Sequence, residues 1–450
     1  MNQLNAFHWE TQPVAESLVA ELVQHCLDRA PAAELLGDRL LLESGTRLLD
    51  WIDHLVVPEL PGLAERCTSA GFRHVPTPTT PGCYRHQAGL FPTIVLSPQG
   101  FYAIYLKVES VVDALWSLHV HVPIIGASGA PMRRARICQQ DAEMWVIERH
   151  GYTGFDTIDQ PAERMAASQH HAEAFLLRQR HFANPADGFT HAQELIESAI
   201  RDLGMDQTCD RFFAAERAYW QQRNRAARVQ FERQQRIGFG WANHDHHTYR
   251  SSRPYFTHLI RVFESLGFVC RERFYPGHNA GWGAQVLEQP MTGLVIFADV
   301  DMSEAEIQRD FAHEPFPSEP GRPLGTVGLW CALHGESFLQ AGMHHLEATF
   351  AYTQAREQLA KLGINSMPPF TDFPHLRQCF TQGEQWQVDP VRIEYLEQNK
   401  LITPTQAATF RANGAIGSHL EILERNQGFK GFNQQGVDKI IAGTDPRHVQ

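Results

Sequence analysis

Histidine is unusually frequent in this chain, 24 copies in 450 residues, and much of it is clustered: HVH at 119–121, HH at 170–171, HDHH at 244–247 and HH at 344–345. Such clusters can be metal sites or polar surface. Two imidazoles and one carboxylate on a single face would hold iron(II) and leave positions open for a bidentate ligand and dioxygen. A search for histidines on strands, with a glutamate on a third strand, gives three short segments in the second half. They offer His246 or its neighbours, His344 or His345, and Glu421 or Glu424.

Alternation along a strand sorts these candidates, because neighbouring side chains point to opposite faces. In HDHHTYR, His244, His246, Thr248 and Arg250 lie together, against Asp245, His247 and Tyr249. In HHLEATF, His345, Glu347 and Thr349 share a face opposite His344, Leu346 and Ala348. In SHLEILER, His419, Glu421 and Leu423 oppose Leu420, Ile422 and Glu424. The first strand therefore presents a potential ligand and, four residues on, a guanidinium suited to bidentate capture of a carboxylate.

The elements that would position these groups follow from periodicity. Residues 1–48 read as a helical lead-in, with Val19, Leu22, Val23, Cys26 and Leu27 on one face. Residues 49–159 read as a diverged β-α-β-β-β module: strand LLDWIDHLVV, helix LPGLAERCTSAGF, then strands YRHQAGLFPTIVLS, FYAIYLKVES and SLHVHVPIIG. Residues 160–235, rich in Ala, Gln, Arg and Glu, read as a helical connector. The same plan restarts at NHDHHTYRS, with the helix PYFTHLIRVFESLGF and strands VCRERFYP, GWGAQVLEQ and GLVIFADV, and a further unit starts at FLQAGMHHLEATF. One such unit is too small to bury both faces of its sheet, so the repetition implies modules packed in pairs around a pocket.

Composition narrows the function classes. At 43% hydrophobic and 20% charged, with no apolar run long enough to span a bilayer, the chain reads as a soluble globular protein without a membrane partner. MNQLNAFHWETQ lacks a secretory pattern, so a cytoplasmic location is expected. A net charge of −12, and an Arg223–Arg236 stretch whose only aromatic is Phe231, argue against nucleic acid. The eight cysteines contain no C-x-x-C pair and read as reduced thiols.

NHDHHTYRS with its following helix, ESLGFVCRERF and GLVIFADVDMSEAEI resembles the 2-oxoadipate dioxygenase/decarboxylase family, whose fold is related to the vicinal oxygen chelate enzymes. The family's H-x-x-x-R motif corresponds to His246 and Arg250, its second histidine strand to His345 in MHHLEATF, and its G-x-x-x-E strand with a following arginine to Glu421 and Arg425 in GSHLEILER. The closing GFKGFNQQGVDKIIAG also resembles a family segment, and the likeness spans about residues 236–445. Two features depart from the pattern: His344 stands where the family has Asn, and the first 235 residues have no counterpart.

The resemblance implies an α+β fold of paired βαβββ, vicinal oxygen chelate-like modules with added helices, and a metal-binding catalytic domain over 236–450. It implies Fe(II) held by His246, His345 and Glu421, with a small 2-oxo acid and O2 as reactants and a 2-hydroxy acid and CO2 as products. Arg250 would hold the substrate's distal carboxylate, and Arg425 and His344 stand as further catalytic candidates. Tyr249, His247 and His344 could support the ligands from behind or pack in the core; Phe350, Trp282 and Trp330 could be core or pocket wall. Another metal enzyme on this scaffold, such as a hydroxylase, lyase or epimerase, and a ligand-binding protein without turnover remain as alternatives. His54, His119, His121 and Glu148 imitate the same ligand order in the first half and could form a second site.

Overall fold

The computed structural model describes residues 9–277, 280–319, 321–433, 437 and 443–447; part of the GFKGFNQQGVDKIIAG segment lies outside them. Two helices, α1 (Pro13–Leu27) and α2 (Pro31–Ser44), each start on a proline in the first turn, where the missing N–H is harmless. Their buried stripes, Leu18 and Leu22 of α1 with Leu36 and Leu40 of α2, pack on the first sheet.

That sheet is built from β1 (Ile52–Pro58), α3 (Leu63–Ser69), β2 (Phe72–His74), β3 (Cys83–His86), β4 (Thr93–Ser97), β5 (Tyr102–Lys107), α4 (Val111–Ser117), β6 (Met132–Gln139) and β7 (Ala142–Arg149). Its order is β2-β3-β4-β1-β5-β7-β6. β1 pairs parallel with β4 and closes a complete βαβββ module. β5 pairs parallel with β7 and closes a second module one strand shorter, and β1 and β5 join the two antiparallel.

The first half thus holds two modules where the periodicity predicts one, and FYAIYLKVES opens the second instead of continuing the first. SLHVHVPIIG is not a strand. His119 takes φ +57°, Val120 N bonds back to Leu115 O, and only Ile125 makes an isolated bridge, to Arg134. Val120, Val122 and Ile124 alternate because they pack singly on the core beneath, and Pro123 removes a ladder donor.

Four helices follow: α5 (Ala162–Leu176), α6 (Pro185–Leu203), α7 (Met205–Gln222) and α8 (Arg225–Gln235). Just after α8, Gly238 sits at φ +86°, and a Cβ there would meet the backbone of Asp113 and Ala114 at 2.6 Å. Gly238→Ala is therefore expected to destabilise the protein by at least about 1–2 kcal/mol, from the left-handed backbone alone, read as a lower urea midpoint at unchanged slope.

The second sheet comprises β8 (His244–Ser251), α9 (Phe256–Ser265), β9 (Val269–Phe274), β10 (Trp282–Glu288), β11 (Val295–Asp301), then α10 (Thr326–His334), β12 (His345–Thr349), α11 (Tyr352–Lys361), β13 (Thr371–Phe373) and β14 (Leu376–Phe380). An insertion of β15 (Gln385–Trp386), α12 (Pro390–Gln398), α13 (Pro404–Asn413) and β16 (Ala415–Ile416) precedes β17 (His419–Arg425). The order is β13-β14-β17-β12-β8-β11-β10-β9. Each module again closes by a parallel pair, β8 with β11 and β12 with β17, and β8 joins β12 antiparallel.

One face of this sheet carries Tyr249, Leu346, Leu420 and Ile422, buried against Phe212 and Phe213 of α7 and Phe263 of α9. Period two then turns His246, Thr248, His345, Glu347 and Glu421 to the other face. No helix among the described residues is long and apolar enough to cross a membrane.

Candidate metal centre

Three adjacent strands bring the histidines and glutamates together. β12 lies between β8 and β17 with His345 opposite Thr248 on one side and Glu347 opposite Glu421 on the other. One ligand atom each from His246, His345 and Glu421 falls within 4.8 Å of the others, and all three residues are buried. His345 Nε2 stands 3.1 Å from Glu421 Oε2, and His246 Nε2 4.0 Å from the same oxygen.

Glu347 is the fourth member, on His345's face but unassigned by the sequence reading. Its Oε2 comes to 2.5 Å from His246 Nε2, without hydrogen-bond geometry. Gln378 donates to Glu421 at 3.0 Å and reaches Glu347 at 3.5 Å. Burial pushes both carboxyls up, Glu421 to about 7, and repulsion from Glu421 and Asp245 raises Glu347 further. Burial also pulls His345 down to about 3 and lowers His246. The cluster therefore offers neutral imidazoles, the state a metal ligand requires, beside carboxyls whose charged form a bound cation would favour.

Neighbouring groups fix how the ligands point. Asp245 lies 3.2 Å from His246 Nδ1 and accepts from Arg425 Nε and Nη2 at 2.8 and 3.0 Å. With Nδ1–H toward Asp245, Nε2 is left to face the centre. Arg425 donates also to the carbonyls of Phe429 and Gly431, so every nitrogen of its guanidinium is engaged. Thr248 Oγ1 stands 2.8 Å from His345 Nε2, and His344 Nδ1 stands 3.0 Å from His345 Nδ1. His344 packs against Trp330 and His419, on the side of the sheet that carries Arg250, where simple alternation would have turned it to the opposite face.

Arg250 is fully buried beside Trp330, with its ring-to-guanidinium distance 5.7 Å. Its Nη2 donates to Thr444 at 3.2 Å, while Nε and Nη1 have no hydrogen-bond partner. Asp299, its register partner on β11, keeps Oδ1 unpartnered and is pushed by burial to about 7. The small cavity at the centre, about 50 Å³, is lined by His246, Thr248, Asp299, His345, Gln378 and Glu421, with Trp282, Phe297, Phe380 and Phe432 in its walls. Arg250 stands just outside this lining.

Other candidates fall elsewhere. Tyr249 donates to Glu216, His247 packs on Phe213, Trp330 donates to Gly417 O and Phe350 is core. In the first half, His54 pairs with Asp53 and stacks on Tyr105 at 3.9 Å, and Glu148 accepts from Val111 N and meets His150 at 2.8 Å. His119 and His121 are exposed. Among the described residues these four do not form a ligand group.

No protein-family model matches the chain, and no curated protein matches it. Among solved structures, a mutant of 4-hydroxymandelate synthase from Streptomyces coelicolor is 13% identical, with a TM-score of 0.31 over 76% of this chain and 97% of its own. Methylmalonyl-CoA epimerase from Mycobacterium tuberculosis is 11% identical, with a TM-score of 0.23 over 41% of this chain and 89% of its own. A protein of Shewanella frigidimarina NCIMB 400, provisionally termed a hydrolase, is 14% identical, with a TM-score of 0.35 over 50% of this chain and 97% of its own. Likeness at this level carries nothing about activity. The fold class rests on the chain's own strand order: α+β, with paired βαβββ, vicinal oxygen chelate-like modules.

Proposed function

We propose that this protein is a mononuclear non-heme Fe(II) enzyme that oxidises and decarboxylates a small 2-oxo acid of the 2-oxoadipate type with dioxygen. The observation that carries this reading is the meeting of two neutral imidazoles and a protonatable glutamate on one sheet face, beside a buried Arg250 with two unpartnered nitrogens. His246, His345 and Glu421 would hold the metal. Bound iron supplies the redox chemistry by which dioxygen attacks a 2-oxo acid.

The chain's own residues do the rest. Asp245, held by Arg425, keeps His246 Nε2 toward the centre, and His344 steadies the His345 ring through its Nδ1. The phenyl walls of Phe297, Phe380 and Phe432 exclude water. Arg250 takes the substrate's distal carboxylate. Metal analysis of protein purified without chelator, then oxygen uptake and CO2 release against a panel of 2-oxo acids, tests the proposal; no oxygen uptake with any of them by the iron-loaded protein would refute it.

Arg250→Ala is expected to keep its iron and lose dicarboxylate recognition. A lost charge-assisted contact costs about 1.5–3 kcal/mol, or roughly one to two decades in kcat/KM. The matching monocarboxylate, with no distal charge, should lose far less, and equal losses would make Arg250 structural.

Glu347 favours a second reading, a metal-dependent epimerase or lyase. A carboxyl that stays protonatable at 2.5 Å from a ligand nitrogen could exchange a proton with a substrate carbon. Deuterium incorporation from solvent without oxygen consumption would select it.

A further inference from the structure

A cavity of about 830 Å³ lies between the two sheets, in the size range of about 300–1,000 Å³ usual for small-molecule sites. The acidic side chains in its wall are already engaged. Asp53 accepts from Arg149 at 2.7 and 2.9 Å, Asp210 meets His150 at 2.7 Å, and Asp245 is held by Arg425. Glu288 accepts from Arg271 and Lys430.

The cations are not matched in the same way. Lys107, at the end of β5, and Arg211, on α7, make no hydrogen bond or ion pair among the described residues. Arg217, six residues further along α7, is buried and among the described residues pairs with Glu109, at 3.4 Å. His244 adds a buried Nδ1 without a partner. Burial pulls the Lys107 ammonium down although Asp53, Asp50 and Asp245 favour its charge. Cations so incompletely paired around a partly open cavity repel one another, which a multiply charged anion would relieve.

We propose that this cavity is a binding site for a small organic anion with two or more negative charges, held by Lys107, Arg211 and Arg217. It adjoins the metal pocket, with which it shares Phe432, but Lys107, Arg211 and Arg217 line only the larger space, and anion binding there does not depend on what the metal centre does. Phosphate esters and polycarboxylates share the required chemistry.

Calorimetric titration of the full chain with fructose 1,6-bisphosphate and with tricarballylate, against fructose at matched ionic strength, tests the site and tells the two classes apart. Saturable binding of at least one anion is expected, weakened about tenfold or more in Lys107→Met and in Arg211→Met and unchanged in Arg250→Ala. Because Lys107 has no partner, ligand-free Lys107→Met should melt no lower than the wild type; should it fail to fold, Arg211→Met decides. No saturable binding of either anion, unchanged affinity in both methionine variants, or loss in Arg250→Ala alone would overturn the proposal.

Discussion

Glu421→Ala should leave the protein folded and almost free of metal. Changing a group that merely orients a ligand typically costs about 10–100-fold in metal affinity, so removing a ligand costs more, and His246→Ala and His345→Ala should behave alike. Asp245→Asn, which keeps size but weakens both the hold on His246 Nδ1 and the ion pair with Arg425, should fall within that range of about 10–100-fold. The metal-free protein has its own signature. Folding raises the Glu421 carboxyl from 4.5 to about 7 and raises Glu347 above its ordinary value. Between the unfolded and folded values the native state binds more protons than the unfolded one, so unfolding free energy falls as pH rises through that window. The two carboxyls therefore contribute a loss of stability from about pH 4.5 to 7 and beyond, while the buried histidines, whose values folding lowers, contribute a gain as pH rises to about 6.5. The stability difference between metal-free wild type and Glu421→Ala isolates the carboxyl contribution and should shift against the wild type across that window. Metal content by elemental analysis and melting curves across pH check both. Full iron in any of the three ligand variants would strike that residue from the centre.

Glu216→Ala should be the most destabilising single change away from the centre. Its carboxylate, on α7, accepts from Arg178 at 3.0 Å, from Arg180 at 2.6 Å and from Tyr249 at 3.1 Å, and all four side chains are buried. Arg178 and Arg180 also donate to the carbonyls of Phe338 and Leu339 in the wide turn Ser337–Ala341. One carboxylate thus ties α7, the turn before β12 and the back of β8. Removing it strands two guanidinium groups in a dry interior, and breaking a buried pair in this way costs about 3–5 kcal/mol. Chemical denaturation should show that loss, while the paired change Glu216→Leu with Arg178→Met should recover part of it, since one of the two stranded charges goes too. A loss under about 1 kcal/mol would mean that water reaches the cluster.

The ligand face was legible because it depends only on alternation within single strands: His246 with Thr248, His345 with Glu347, His419 with Glu421. What alternation cannot supply is register between strands. Glu347 sits two residues from His345, yet its meeting with Glu421 requires β12 to pair with β17. Asp245 and Arg425 are 180 residues apart, so nothing local joins them. The hidden module in the first half was missed because its helix, VVDALWS, is seven residues long and started by Ser110 accepting from Asp113 N, too short for periodicity to register. SLHVHVPIIG erred the other way, since side chains alternately touching a core look like a strand whether or not a neighbour pairs with them.

The centre also has an order of assembly. Its donors stand at residues 246, 345 and 421, on strands that meet only after two long closures, β8 with β12 and then β12 with β17. Contacts of such sequence separation form slowly, because chain entropy must be lost before they repay it. A chain still being made presents at most two of the three donors until residue 421 has emerged. If these three residues hold the metal as proposed, the full donor set exists only once β17 has paired with β12, so a partly made chain offers an ion an incomplete site.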